Sequence, residues 1–292
     1  MPTTPNGTAY TVTSFTSSAG EPCRRAVADA VADDLEIPLV IFCHGNPGAD
    51  VSSADTQFSS GYTTQRNWMM DNGWAYVEGH GAGASWGNQD ARAAYRAMYD
   101  DTLAAWDIGW NVVIGRSMGG LVGAYLAARD PKISRRCRGF VHLSATADLT
   151  NRYSTASTAD KAALLTAYDA PDATSLAWAV KDHDPLLVLP EAWYGRNAVV
   201  QYDTGDVSVP PEVNALPWFE RFGPQLAIGR TVSTSGGDHN STPNRATHAA
   251  ATIAFLQDVL IPYEEPSPIV GTLVTELRQL QPDGTLQHLT WS

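Results

Sequence analysis

The sequence predicts an α/β fold, with a mostly parallel central sheet flanked by helices. Three observations carry this. First, short strand-like runs recur along the chain, continuously apolar at residues 37–43 and 112–114 and partly apolar at 74–78, 139–144, 198–202 and 227–233. Runs of that length without polar alternation suit strands buried on both faces. Second, stretches of helical length and period lie between them, and that alternation belongs to a parallel sheet. Third, several of the runs end in Gly-rich loops, where open α/β sheets place their sites.

Taken in order, residues 8–16 alternate as a strand does. Residues 22–36 are ambiguous: their Ala content favours helix, while an α/β sheet would use an edge strand here. Ile37–Cys43 is a buried strand ending in His44-Gly45-Asn46-Pro47-Gly48. Residues 59–72 read as a helix closed by Asn72-Gly73, and residues 74–78 as the next strand. Gly79–Gly87 is a tight Gly-rich loop on the site side of the sheet. It has no G-K-[ST] and no G-x-G-x-x-G opening a helix, so no nucleotide cofactor is expected. Residues 89–106 form an amphipathic helix, with Ala94, Met98 and Ala105 inward and Arg92, Arg96, Asp100 and Asp101 solvated. Residues 111–128, NVVIGRSMGGLVGAYLAA, run from strand through a sharp turn into a helix that Pro131 ends. After a strand at residues 139–144, residues 145–197 break the rhythm. They are rich in Ala, Leu, Tyr and Trp, with helices near 158–167 and 175–181, and are expected to form a helical lid. A strand at 198–202, a short helix at 217–222, a last buried strand at 227–233 and a final helix at 243–260 complete the domain. Pro262, Pro266 and Pro268 mark a linker, and residues 272–281 and 285–291 flank Pro282-Asp283-Gly284 as a β-hairpin. The expected organisation is therefore a main domain over 1–265, with the 145–197 insertion, and a linker and hairpin over 266–292.

Composition narrows the function. The 292 residues are 43% hydrophobic and 17% charged, with a formal net charge of -12. That surface repels phosphate backbones and anionic lipid heads, so nucleic acid is not an expected partner. No apolar run approaches the ~20 residues of a membrane span. MPTTPNGTAY lacks the basic region and apolar core of a secretory signal, so a cytoplasmic, released or virion-associated location is expected. Cys23, Cys43 and Cys137 lack C-x-x-C spacing and are expected as reduced core thiols. Lys181-Asp182-His183-Asp184 has metal-binding residue types, but adjacent residues seldom converge on one ion, so no metal is expected.

The chemistry centres on Gly115-Arg116-Ser117-Met118-Gly119. A serine on a strained strand-to-helix turn needs small residues two before and two after, and both are Gly. Ser117 is the candidate nucleophile. It needs a base and an orienting carboxylate at the ends of later strands. Asp206 and His239 stand there, giving the order Ser, Asp, His. Asp203 competes with Asp206 in one loop, and Val209-Pro210 favours Asp206. Asp148 is a weaker candidate acid. His248 competes with His239 but lies in the final helix, as a packing or surface residue. His142, in a strand, is expected to be a satisfied core histidine.

These motifs together resemble the α/β-hydrolase superfamily: the elbow pentapeptide, His44-Gly45-Asn46-Pro47-Gly48, Gly205-Asp206 before Val209-Pro210, and Gly237-Asp238-His239 before the last helix. The resemblance covers residues 37 to 260 and implies a serine esterase, lipase, thioesterase or peptidase working through an acyl-enzyme, with residues 145–197 as its cap. It implies backbone N–H donors from Met118 and Asn46 for the oxyanion. The leading expectation is cleavage of carboxylic esters, small or lipid-like. The alternatives are a serine peptidase of the same fold, a virion or cell-envelope esterase, and a non-catalytic binding module. HGNP also occurs in haloalkane dehalogenases, but those carry aspartate at the elbow where Ser117 stands. His44 is expected to brace the oxyanion loop, and His44, His80, Trp86 and Arg116 are together the candidate residues of the substrate cleft. His80 and Trp86 either line the substrate cleft or pack the Gly-rich loop, and Arg116 either biases substrate choice or faces solvent. The hairpin is a candidate surface for a homo-oligomer.

Overall fold

The computed structural model describes residues 1–31, 36–46, 61–239, 242–260, 277–280 and 286–289. The chain divides into two compact units, Met1–Asp258 and Val259–Ser292. The first holds the strands β1 (Tyr10–Thr16), β2 (Pro22–Ala28), β3 (Ile37–Cys43), β4 (Ala75–Gly79), β5 (Ile108–Arg116), β6 (Cys137–Leu143), β7 (Asn197–Asp203) and β8 (Ile228–Thr234). They form one sheet in the order β1-β2-β4-β3-β5-β6-β7-β8. β2 runs antiparallel to β1 and β4, and the other pairings are parallel. The fold is an α/β-hydrolase fold.

Leu39, Val40, Ile41 and Phe42 are wholly buried, as are Val112 and Val113. Continuous apolar sequence marks strands covered on both faces by helices. Two expectations change at the sheet margins. The ambiguous stretch after residue 22 begins as β2, which lies inside the sheet between β1 and β4; β1 is the edge. The 227–233 strand is β8, and most of it is exposed rather than buried. As the other edge it has one strand neighbour, and Arg230 on it pairs with Asp258.

The helices are α1 (Thr63–Asp71), α2 (Gln89–Leu103), α3 (Gly119–Ala128), α4 (Ile133–Arg136), α5 (Leu149–Thr155), α6 (Thr158–Ala167), α7 (Ala173–Ala179), α8 (Ala215–Phe222) and α9 (Thr242–Leu260). Asn88 caps α2 by accepting from the Ala91 N–H at 3.0 Å. Arg92, expected in solvent, is buried. Its guanidinium lies 3.9 Å from the Tyr125 ring centroid and donates to the Asp182 carbonyl at 2.7 Å. The insertion covers that face of α2, which helical periodicity does not reveal.

α3 is buried on nearly every side, so it has no polar face and is built from small residues. Its glycines permit backbone-to-backbone contact. A Cβ at Gly119 would stand 2.2 Å from the Cys43 carbonyl oxygen, and one at Gly115 would stand 2.8 Å from the Gly120 Cα. Gly119→Ala is therefore expected to destabilise the protein by about 1–3 kcal/mol or more in urea titration. Gly61→Ala, whose Cβ meets nothing within 4 Å among the described residues, is the control. Equal stability of the two variants would contradict this account.

The insertion comprises α5, α6, α7 and 3-10 turns at Pro185–Leu187 and Pro190–Trp193. Asp148, Ser157 and Asp172 cap its three helices. Leu149, Leu164, Leu176 and Val180 form its core together with Trp86, Met118 and Leu121 of the main domain. The insertion is thus seated on the turn that carries Ser117. The Lys181–Asp184 stretch is engaged structurally. Asp184 accepts from the Leu149 and Leu186 N–H groups, and His183 stacks edge-on against Tyr168. Burial, with the Asp148 charge second, pushes the Asp184 carboxyl up to about 6.

In the second unit, β9 (Leu277–Leu280) and β10 (Leu286–Leu289) pair antiparallel. The Pro262, Pro266 and Pro268 linker, the Pro282-Asp283-Gly284 turn and Pro47-Gly48 lie outside the described residues. Among the described residues no helix is long and apolar enough to cross a membrane.

Candidate active site

The chain crosses from one side of β3 to the other between β4 and β5. That reversal opens a crevice at the C-terminal ends of β3 and β5, the place where open α/β sheets bind ligands. Ser117 follows β5 and Asn46 follows β3, so both stand at its mouth. Ser117 has φ 51°, the left-handed conformation that disfavours side chains. Three backbone bonds hold it there. Its N–H donates to the Leu143 carbonyl at 3.1 Å, and its carbonyl accepts from Gly120 at 3.0 Å and Thr146 at 2.9 Å. Strain of this kind persists only where the surroundings over-determine it.

His239 Nε2 lies 2.9 Å from Ser117 Oγ. On the other side of the ring, Nδ1 lies 2.7 Å from Asp206 Oδ2. Asp206 is buried, and its second oxygen accepts from the Ser208 N–H at 2.9 Å and the Val209 N–H at 2.8 Å. With Nδ1–H directed to the carboxylate, the Nε2 lone pair faces the serine hydroxyl, ready to take its proton. The structure thus brings together the serine, histidine and aspartate selected by order along the chain.

Asp203 faces the other way. Wholly buried, it accepts from the Gly205 N–H at 2.8 Å, from Thr234 Oγ1 at 3.0 Å and from Asn244 Nδ2. It ties the loop to β8 and α9. His248 is buried beside it, with Nε2 3.4 Å from Thr234 Oγ1. Burial lowers the His248 pKa below the usual histidine range. Asp148 is spent as the cap of α5.

Met118 stands at the start of α3, where the first N–H groups of a helix have no partner within it. Gly45 makes room beside the serine: a Cβ there would stand 3.0 Å from Ser117 Cβ and 3.5 Å from its Oγ. His44 is buried behind Gly45. Its ring nitrogens lie 2.8 Å from the Gly45 carbonyl and 2.6 Å from the His80 carbonyl, so it ties the two loops together. Burial lowers its pKa below the usual histidine range, while the Gly45 and His80 carbonyls oppose that shift by accepting from the ring.

A cavity of about 220 Å³ opens on Ser117 and His239. Of the four residues considered for the cleft, Trp86 lines it. The described lining does not include His44, His80 or Arg116. The half-buried Arg116 reaches toward Gly45, with Nη1 3.3 Å from where a Gly45 Cβ would stand. The rest of the wall was not legible in the sequence: Thr146 after β6, Arg152 and Asp160 from the insertion, and Ser208 and Val209 beside Asp206. Arg152 and Asp160 lie on different helices, and no motif or period singles them out.

His142 departs from expectation. It is wholly buried, 5.7 Å from the Trp218 ring, but neither ring nitrogen has a hydrogen-bond partner among the described residues. Aromatic neighbours on its packed faces offer no acceptor, and burial lowers its pKa to about 4, so it is neutral.

Residues 38–172 match the family model described as the alpha/beta hydrolase fold. Among solved structures, the chain is similar to puromycin hydrolase, with 15% identity over 87% of this chain and 40% of that one, and a TM-score of 0.67. Est1E from Butyrivibrio proteoclasticus is 16% identical over 85% of this chain and 98% of its own, with a TM-score of 0.60. The Pyrococcus furiosus esterase Pf2001 is 13% identical over 86% and 93%, with a TM-score of 0.57. The chain therefore spans two fifths of the first of these and nearly all of the two esterases. No curated protein matches it by sequence.

Proposed function

We propose that the chain, which has the α/β-hydrolase fold, is a serine hydrolase of that superfamily, cleaving carboxylic esters through an acyl-enzyme. The observation that carries this is the unbroken line from Ser117 Oγ to His239 at 2.9 Å and from His239 to Asp206 at 2.7 Å, inside a cavity. In this reading His239 takes the hydroxyl proton as Oγ bonds to the ester carbonyl carbon, whose oxygen becomes an oxyanion. The backbone N–H groups of Met118 and Asn46 receive that charge. Collapse of the tetrahedral intermediate breaks the bond to the alkoxide, which takes the proton from His239. Water, deprotonated by the same ring, then releases the acid and restores Ser117. Asp206 holds the ring in the required tautomer and offsets the imidazolium charge.

A cavity of about 220 Å³ is smaller than the ~300–1,000 Å³ of drug-sized sites, which favours a short acyl group over a lipid chain. The two esterases match across nearly their whole length, which supports ester chemistry. A serine peptidase is the second reading. Puromycin hydrolase and prolyl endopeptidases share the fold, but this chain spans 40% and 39% of them. A chain-length series of p-nitrophenyl esters beside aminoacyl p-nitroanilides separates the readings. Acetyl and butyryl esters are expected to react faster than octanoyl esters, and the anilides slowly. Turnover of the anilides alone would replace the ester reading with the peptidase one.

A further inference from the structure

A line of polar side chains spans the cleft, and the proposed chemistry does not use it. Arg152 on α5 donates from Nη2 to Asp160 Oδ2 on α6 at 2.7 Å. Its Nη1 donates to the Ser208 carbonyl at 3.1 Å, and its guanidinium lies 5.3 Å from the Trp86 ring centroid. Asp160 turns its other oxygen toward the Asn46 side-chain amide, a long contact of 3.5 Å. The insertion thereby joins the loop after β3 to the loop after β7.

Both ends reach groups that the proposed reaction needs. The Ser208 N–H holds Asp206 Oδ1 at 2.9 Å, so Arg152 grips the same residue that seats the acid. Asn46 carries the second proposed oxyanion donor on its backbone. The ion pair itself adds little to stability, since its side chains are 20% and 25% exposed and partly exposed pairs are weak. Arg152 Nε is buried with no hydrogen-bond partner among the described residues, a cost the fold does not recover at that atom. A weak pair with an unmet donor, held across a cleft, is better accounted for by what it keeps in place.

We infer that Arg152 and Asp160 are positioning residues. Through the Asn46 side chain they set the oxyanion loop, and through the Ser208 carbonyl they set the Asp206 loop. The insertion then helps to assemble the site as well as roofing it. This rests on the serine-hydrolase reading, because the role of Asn46 belongs to it. Oxyanion donors act only when held at hydrogen-bond distance from the developing charge, so a small shift of the loop lowers the rate of the chemical step more than ground-state binding.

The test uses the full chain, a p-nitrophenyl butyrate assay, inhibition by an alkylboronic acid that forms a tetrahedral serine adduct, and thermal melting. Asp160→Ala is expected to lower kcat by about tenfold or more with KM nearly unchanged, because misplaced donors penalise the transition state. Boronate affinity falls in step and Tm moves little. Asn46→Ala, which cuts the same tie but keeps the backbone donor, shifts kcat in the same direction. Arg152→Lys keeps the charge pair, loses the fork to Ser208, and falls between wild type and Arg152→Ala. The Arg152→Ala/Asp160→Ala double variant is no worse than the poorer single, as expected of residues acting as one unit. Should Asp160→Ala not fold, the isosteric Asp160→Asn takes its place. Wild-type kcat in these variants overturns the inference, as does a change confined to KM. Fluorophosphonate labelling of the wild type reads the serine-hydrolase proposal separately. If labelling fails, both readings fall; if it succeeds while the variants keep full kcat, this inference alone falls.

Discussion

Ser117→Ala is expected to lower ester turnover by about 10⁶-fold and to abolish fluorophosphonate labelling, since residues of such a unit are lost together when the nucleophile goes. The residual rate, roughly 10³–10⁴ over water, would come from the oxyanion donors and the cavity alone. The fold should tolerate the change. Alanine keeps the Cβ that φ 51° already accommodates, and the three backbone bonds of Ser117 do not involve the hydroxyl. Among the described residues, the hydrogen bond the variant loses is the 2.9 Å contact to His239. Turnover and labelling with a serine-reactive probe are read beside Tm. Equal labelling of wild type and variant would move the nucleophile elsewhere.

The second large effect separates two aspartates at the end of β7 and in the loop after it. Asp206→Asn is expected to lower kcat by about 10⁴-fold, because an amide facing His239 Nδ1 favours the wrong tautomer and cannot offset the imidazolium charge. The amide oxygen can still accept from Ser208 and Val209, so the loop should hold its shape. Asp203→Asn is expected to do the reverse. It disturbs a buried carboxylate with three donors around it, and costs about 1–3 kcal/mol of stability. Its kcat, measured below the melting transition, stays far above that of Asp206→Asn. Similar kcat losses in the two variants would make the 2.7 Å His239–Asp206 contact irrelevant to rate.

The two aspartates also show where sequence reasoning stops. Asp203 ends β7 and Asp206 stands three positions later, so their neighbourhoods in the sequence are nearly the same. What separates them is the direction each carboxylate faces. Asp206 accepts from the two N–H groups that follow it and so presents its free oxygen to His239, while Asp203 turns into β8 and α9. The Val209-Pro210 placement was a pointer to the first arrangement, because Val209 supplies one of those donors. Arg92 and His142 differ from the sequence expectation for a related reason. Helical period says which side of α2 is apolar, not that the insertion lies over Arg92. Strand membership places His142 in the core, but its partners come from residues far away in the chain, and aromatic rings stand there instead.

By itself the sequence determined the mostly parallel sheet, the sharp turn at Ser117 and the chain order of the candidate serine, aspartate and histidine. Each of these follows from local rules: apolar runs for strands buried twice, glycines where backbones must touch, and loops at strand ends. Only the tertiary structure decided which polar side chains share the cavity. Arg152, Asp160, Asn46 and Ser208 come from segments spread over more than half the chain, and only folding the insertion onto α3 brings them together. Local propensity acts over a few residues, whereas the cleft wall is set by how separately formed elements pack.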